Sequence, residues 1–241
     1  MTQSINYSSE KLASEFSDRS HIRFALEGVK SRYKLKNKRV IELGCGLGDN
    51  LKIFSSDNNT LGFEGLEGAV SIANQQGVRV LQVDLEGDPI PLEAESSDVV
   101  LCMDILEHLN HPEFSIKESW RILRENGLLV VNVPNHFTLS GRLRILLGSG
   151  VDSQGYFPDS NDWENPHVRF FRHGSISALL EKNGFEIVED CSSQAPAFPG
   201  LNWLSSIRKT NIPSYIAHRF PDLFAAGFFL IAKKIKFDSK S

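Results

Sequence analysis

Residues 40 to 51, VIELGCGLGDNL, set Gly44, Gly46 and Gly48 directly behind a short β-branched run, with the carboxylate of Glu42 just ahead of them. Glycine reaches φ > 0 and carries no Cβ, so this turn lets the backbone approach a ligand closely. A dinucleotide fingerprint would place its third glycine where Asp49 stands, so Gly48 comes one position too early. A diphosphate would be repelled by Glu42, whereas a ligand carrying an ammonium and a sulfonium would be favoured by it. A second reactive stretch is MDILEHLNHPEF, residues 103 to 114. If it is helical, Asp104, Glu107 and His108 stand at i, i+3 and i+4 and share one face. Two readings stay open. In one, Asp104 caps the helix, Glu107 and His108 are rim residues, and Leu106 and Leu109 pack. In the other, the three hold a divalent cation that orients an acceptor hydroxyl.

The elements that must position these residues alternate short β-rich runs with helix-like segments, the pattern of βα units around a parallel sheet. Strands are expected at RVIEL (39 to 43), TLGFE (60 to 64), VRVLQV (78 to 83), DVVLCM (98 to 103), GLLVVNV (127 to 133), FEIVED (185 to 190) and AGFFLIAKK (226 to 234). KESWRILRENG reads as a helix that stops at Asn126-Gly127. Residues 1 to 35 read as an N-terminal helical flank or lid, with SSEKLASEF opening in capping-box spacing. Residues 135 to 173 break the rhythm. They carry Phe137, Tyr156, Phe157, Trp163, Phe170 and Phe171 and one short basic helix candidate, SGRLRILLGSG. A loop this long inside an α/β domain is expected to be functional, and it follows a strand, at the edge where ligands of open sheets bind.

ELGCGLG resembles the first motif of the class I S-adenosylmethionine-dependent methyltransferases, and the resemblance extends over roughly residues 36 to 190. It implies a Rossmann-like, seven-stranded, mostly parallel sheet with helices on both faces. Residues 36 to 241 would form the methyltransferase domain, with an acceptor-side insertion at 135 to 173. It implies S-adenosylmethionine as cofactor, with Gly44, Cys45, Gly46 and Gly48 around its methionine part and Glu42 near its amino group. Glu64, followed by Gly65, would take the ribose hydroxyls, Asp84 and Leu85 the adenine, and Met103 would complete the set. Asp98 falls at the family's acidic position opening the fourth strand. DILEH is similar to the ExxEH segment of the ubiquinone-biosynthesis and small-RNA 2'-O-methyltransferases. That likeness implies a metal set of Asp104, Glu107, His108 and His167, holding Mg, Mn or Zn, with Glu107, His108 and His167 as candidate catalytic residues. Asp104 stands where the family has Glu, one methylene shorter.

Composition narrows the partners. A 41% hydrophobic and 23% charged chain is an ordinary globular one. The net charge of -4 argues against a general grip on nucleic acid. Residues 1 to 136 hold 14 Lys/Arg against 20 Asp/Glu, a net -6, and the remainder holds 12 against 10, a net +2. The second part is therefore the better host for an anionic or neutral acceptor. Cys45, Cys102 and Cys191 form neither a zinc pattern nor a disulfide framework, which fits a reducing cytoplasm. No apolar run approaches the ~20 residues of a spanning helix, although GRLRILL leaves room for weak contact with a membrane surface. The absence of a DPPY-like turn after the fourth strand argues against amino groups of nucleic acid. The expected acceptor is thus a small molecule, a saccharide or a lipid-linked precursor methylated on oxygen, with His108, His111 or His167 as base and His111 ranked below His108. A catalytically inactive scaffold of the same fold and an NAD-dependent reductase are the alternatives.

Overall fold

The structure, a computed structural model, describes residues 20–148, 167–192 and 212–235. In chain order these are α1 (Ser20–Arg32), β1 (Arg39–Leu43), α2 (Asp49–Phe54), β2 (Asn59–Glu64), α3 (Glu67–Gln75), β3 (Val80–Gln82) and β4 (Ser97–Met103). There follow a 3-10 turn (Leu106–His108), α4 (Pro112–Ile122), β5 (Leu123–Pro134), α5 (Leu139–Leu146) and α6 (His173–Lys182). The described chain closes with β6 (Phe185–Asp190), α7 (Ile212–Arg219), α8 (Pro221–Phe224) and β7 (Gly227–Lys234). Seven strands form one sheet in the order β3-β2-β1-β4-β5-β7-β6. The pairs from β3 to β5 are parallel, and β7 lies antiparallel between β5 and β6. This is the Rossmann-like sheet that the sequence pattern and the resemblance imply.

Two apolar layers sandwich the sheet, which is why its central strands read as near-continuous hydrophobic runs. Ile41, Leu43, Val100, Cys102, Leu129 and Val131 face one layer, with Ile116 and Ile122 of α4 and Ile176 and Leu180 of α6. Val40, Val99, Leu101, Met103 and Val130 face the other, with Leu51 and Phe54 of α2. Ile22, Leu26 and Val29 of α1 are buried in that second layer, so the part of the expected flank from Ser20 onward is a layer of the core rather than a lid. The SSEKLASEF capping box lies outside the described residues.

Two strands differ from expectation by more than a residue at an end. The helix over KESWRI ends at Ile122, and β5 begins at Leu123, which takes an extended conformation and pairs with Ser97. The register then jumps to Val99 opposite Leu128, across an irregular stretch in which Asn126 has φ 63. Gly127 is therefore not a helix stop. A Cβ there would sit 2.9 Å from the Arg124 carbonyl and 3.2 Å from that of Asp98, so the close return of the strand requires glycine. At the outer edge, β3 is only Val80–Gln82, shorter than VRVLQV, as edge strands often are.

The strand order reverses beside β1, between β2 and β4, and the carboxyl ends of β1 and β4 open at this switch point. Open α/β sheets bind their ligands there. Both reactive stretches of the sequence follow these two strands.

Candidate active site

The glycine loop is built from three left-handed residues: Gly44 at φ 68, Gly46 at φ 53 and Gly48 at φ 78. Close packing also fixes two of them. A Cβ on Gly44 would meet the Ile105 side chain at 2.4 Å, and one on Gly48 would meet Val78 at 2.5 Å. The Gly44 and Cys45 N–H groups donate to the Phe63 carbonyl, tying the loop to β2. Glu64 at the end of β2 accepts from the Gly46 N–H at 2.8 Å and from the Leu66 N–H at 3.0 Å, one bond on each carboxylate oxygen. Its carboxylate is thus held beside the glycines by the backbone itself. Glu42 is fully buried and accepts from the Asn50 amide at 2.7 Å. Asp84 is exposed and accepts the Glu86 N–H at 2.9 Å, while Leu85 is buried and its carbonyl accepts from Ser115. Gly65 is exposed and Met103 fully buried in the second layer. Glu42, Glu64 and Asp84, with three left-handed glycines between the first two, are groups that suit S-adenosylmethionine: carboxylates for its ammonium and ribose, and bare backbone for close approach.

The three thiols are not nucleophiles. Burial pushes the Cys45 thiol far up, with Glu42 and Glu64 adding to the rise. Burial likewise raises Cys102 and Cys191, each to about 12. The thiolate, the reactive form, is scarce at neutral pH at all three positions.

The stretch after β4 is not a regular helix. Asp104 has φ 51, a left-handed conformation, and only Leu106–His108 forms a single 3-10 turn. The expected i, i+3, i+4 face therefore does not form. Asp104 instead bonds to the end of β5: its N–H donates to the Asn132 carbonyl at 3.0 Å, and its carboxylate accepts from the Asn132 amide. Glu107, 1% exposed, and the half-buried His108 gather with His167, each offering a ligand atom within 4.8 Å of the others. Asp104, which the resemblance also implies as a ligand, is not in this group of three and is bonded to Asn132. His111 is exposed, at the N-cap of α4, and lies outside it too. Asp98, at the opposite end of β4, accepts from the Arg39 N–H and pairs with Arg124, a structural post at the far edge of the sheet.

His167 reaches the cluster from 59 residues along the chain, and backbone bonds bring it there. The Val168 and Arg169 N–H groups both donate to the Glu107 carbonyl, at 2.8 and 3.0 Å. The Arg169 guanidinium donates to the Asn110 carbonyl, and Glu86 accepts the Asn110 and His111 N–H groups. His108 and His167 meet edge to face with ring centroids 4.7 Å apart. Sequence reading missed His136, two residues past β5, whose Nε2 lies 2.8 Å from His167 Nδ1. It also missed Asn50 and Asn132, the partners of Glu42 and Asp104. Their positions just past or near strand ends at the ligand edge were the available signal. Tyr156, Phe157 and Trp163 of the aromatic insertion lie outside the described residues, whereas Phe170 is partly exposed beside the cluster and Phe171 is buried in the core.

Residues 16–190 match the model of a family described as a methyltransferase domain. That span is most of the chain, so the chain belongs to this family and is an S-adenosylmethionine-dependent methyltransferase. The ubiquinone biosynthesis O-methyltransferase of Pelagibacter ubique (strain HTCC1062) is 25% identical over 187 residues, 76% of this chain and 72% of that protein. A probable S-adenosylmethionine-dependent methyltransferase of Mycobacterium tuberculosis (strain ATCC 25618 / H37Rv) is 31% identical over 154 residues, 63% of this chain and 50% of that protein. Among solved structures, a SAM-dependent methyltransferase from Thermotoga maritima superposes with a TM-score of 0.58 at 21% identity, covering 93% of this chain and 99% of that one. The NAD-dependent reductase alternative ends with the family match.

Proposed function

We propose that this enzyme methylates a hydroxyl oxygen of a small-molecule, saccharide or lipid-linked acceptor, with Glu107, His108 and His167 at the acceptor side. The observation that carries the reading is the convergence of these three side chains on the turn whose Ile105 packs against Gly44 of the cofactor loop. The similarity to an oxygen-directed relative supports it. S-adenosylmethionine, when bound, supplies an electrophilic methyl group on a sulfonium. What this chain adds is placement: Glu64, Glu42 and the glycines hold the cofactor at the switch point, and the turn after β4 holds the acceptor beside it. Holding the two reactants near attack distance supplies most of the acceleration of an in-line displacement. An imidazole within reach of the acceptor proton supplies the rest, as His108 or His167 would do.

The same set fits a divalent metal, since a buried carboxylate and two imidazoles suffice to ligate one. The three gathered donors, one carboxylate and two imidazoles, are richer in nitrogen than the four-residue set, which shifts preference from Mg and Mn toward Zn. When bound there, a metal would lower the pKa of an acceptor hydroxyl. At the end of α5, Leu146 and the C-cap Leu147 are 80% and 84% exposed, with Arg142 and Arg144 on the same helix, which supports the lipid-linked end of the acceptor range. Liposome sedimentation with no protein in the pellet would remove that end. No helix among the described residues is long and apolar enough to cross a membrane.

The test is His108→Ala, assayed for methyl transfer to hydroxylated acceptors and titrated calorimetrically with S-adenosylhomocysteine. Turnover is expected to fall roughly 10²- to 10⁴-fold with cofactor affinity nearly intact. An unchanged rate would remove His108 from the mechanism.

A further inference from the structure

We infer that His136 is a positioning residue that fixes the tautomer and orientation of His167, so that His167 presents Nε2 to the acceptor or metal. The inference rests on the reading of Glu107, His108 and His167 as the acceptor-side set. His136 itself has only 8% of its surface exposed. Its Nε2 lies 2.8 Å from His167 Nδ1, and the two rings meet edge to face at 4.9 Å. Phe170 closes on the same imidazole at 4.9 Å, also edge to face. The backbone below is equally fixed. Asn135 accepts the Phe137 N–H at 2.9 Å and donates its amide to the Ala225 carbonyl at 2.8 Å, pinning the end of β5 to the segment before β7. Gly141 of α5 comes so near that a Cβ there would sit 2.8 Å from the His136 carbonyl.

Only one of the two proton arrangements open to the pair serves that role. Between two facing ring nitrogens only one can carry the shared hydrogen. For His167 to offer a lone pair at Nε2, its proton must sit on Nδ1 and be donated to His136 Nε2. His136 is then the tautomer protonated at Nδ1. An imidazole that ligates or accepts through one nitrogen commonly gives its other N–H to a fixed acceptor, which sets the tautomer and the ring plane. Elsewhere that acceptor is often a carboxylate or carbonyl, and here a second histidine stands in its place.

The experiment uses the full chain as wild type, His136→Gln and His136→Phe. Ring ¹⁵N resonances of His167 report its tautomer directly, and calorimetric titration with zinc chloride reports the affinity of the set. The wild type is expected to hold His167 protonated at Nδ1. His136→Gln, whose amide oxygen can accept the same N–H, retains that state and zinc affinity within a few fold. His136→Phe keeps a ring against Phe170 but offers no acceptor, so the tautomer redistributes and zinc binding weakens about 10- to 100-fold. S-adenosylhomocysteine affinity stays the same in all three. A wild-type His167 protonated at Nε2 would overturn the inference, and this measurement requires no variant. An unchanged tautomer in His136→Phe would overturn it as well. If wild-type protein takes up no zinc, the metal reading falls, and the tautomer measurements alone decide the role of His136.

Discussion

The loops after β1 and β4 stand side by side at the switch point and are built in opposite ways. The cofactor loop is local: one run of twelve residues supplies its glycines and Glu42, and its partner Glu64 ends the very next strand. The proposed acceptor-side set and its neighbour His136 come from three distant segments, with Glu107 and His108 after β4, His136 after β5 and His167 ahead of α6. A local motif is constrained by backbone geometry, so substitutions there should damage binding and folding together. An assembled set hangs on a few side-chain and backbone bonds, so substitutions there should damage chemistry with binding intact.

The largest expected effect breaks the local loop. Gly44→Val forces a β-branched residue into φ 68 and against Ile105. It is expected to abolish detectable S-adenosylhomocysteine binding in calorimetry and to lower the melting temperature by several degrees, since overpacking alone costs about 1–3 kcal/mol. Next comes Glu64→Ala, which removes both backbone bonds and the proposed ribose acceptor and should weaken cofactor binding ~10- to 100-fold, about 1.5–3 kcal/mol for a charged hydrogen bond. If that variant bound normally, the carboxylate would be a turn brace and nothing more. Asn132→Ala probes the assembled side. It releases the anchor of Asp104, so methyl transfer should drop several-fold while cofactor affinity holds, and a matching loss of affinity would show that the two loops are one unit.

The smallest effect is on pH. His173 at the start of α6 bonds Asp190 at the end of β6 at 2.8 Å, and neither side chain is more than a third exposed. That bond raises the His173 pKa against the opposing effect of burial. Burial favours the neutral form of Asp190, but the bonds from His173 and Ser192 outweigh it and hold the carboxyl low. A raised histidine pKa stabilises the fold fully below about 6.5 and loses that contribution as pH rises through the folded value. A lowered aspartate pKa contributes above about 3.9 and is lost as pH falls through its folded value. The pair therefore contributes most between about pH 4 and 6.5, and Asp190→Asn should lower the melting temperature most inside that window and remove the pair's fall on either side of it.

The same contrast decides what could be read from the sequence. The sheet was legible because strands buried on both faces are apolar runs, and the glycine loop because φ > 0 restricts residue type. The turn after β4 was not. Its helical spacing is real, but Asp104 is drawn to Asn132, a partner 28 residues away, and that bond holds the chain out of the helical register. His136 was missed because nothing local marks it. Its role depends on a ring that arrives 31 residues later, held by bonds from Val168 and Arg169 to the Glu107 carbonyl. The early end of α4 was hidden for a related reason, since Gly127 is required by the carbonyls of Arg124 and Asp98 rather than by a helix terminus.

The antiparallel strand β7 sits between β5 and β6, not at a margin. On a ribosome, β6 emerges with no neighbour to pair with and must wait for residues 227–234 before the sheet can close. Ending synthesis just short of that strand would leave a five-stranded sheet with β5 bare along one side and β6 unpaired, the kind of surface that recruits other chains.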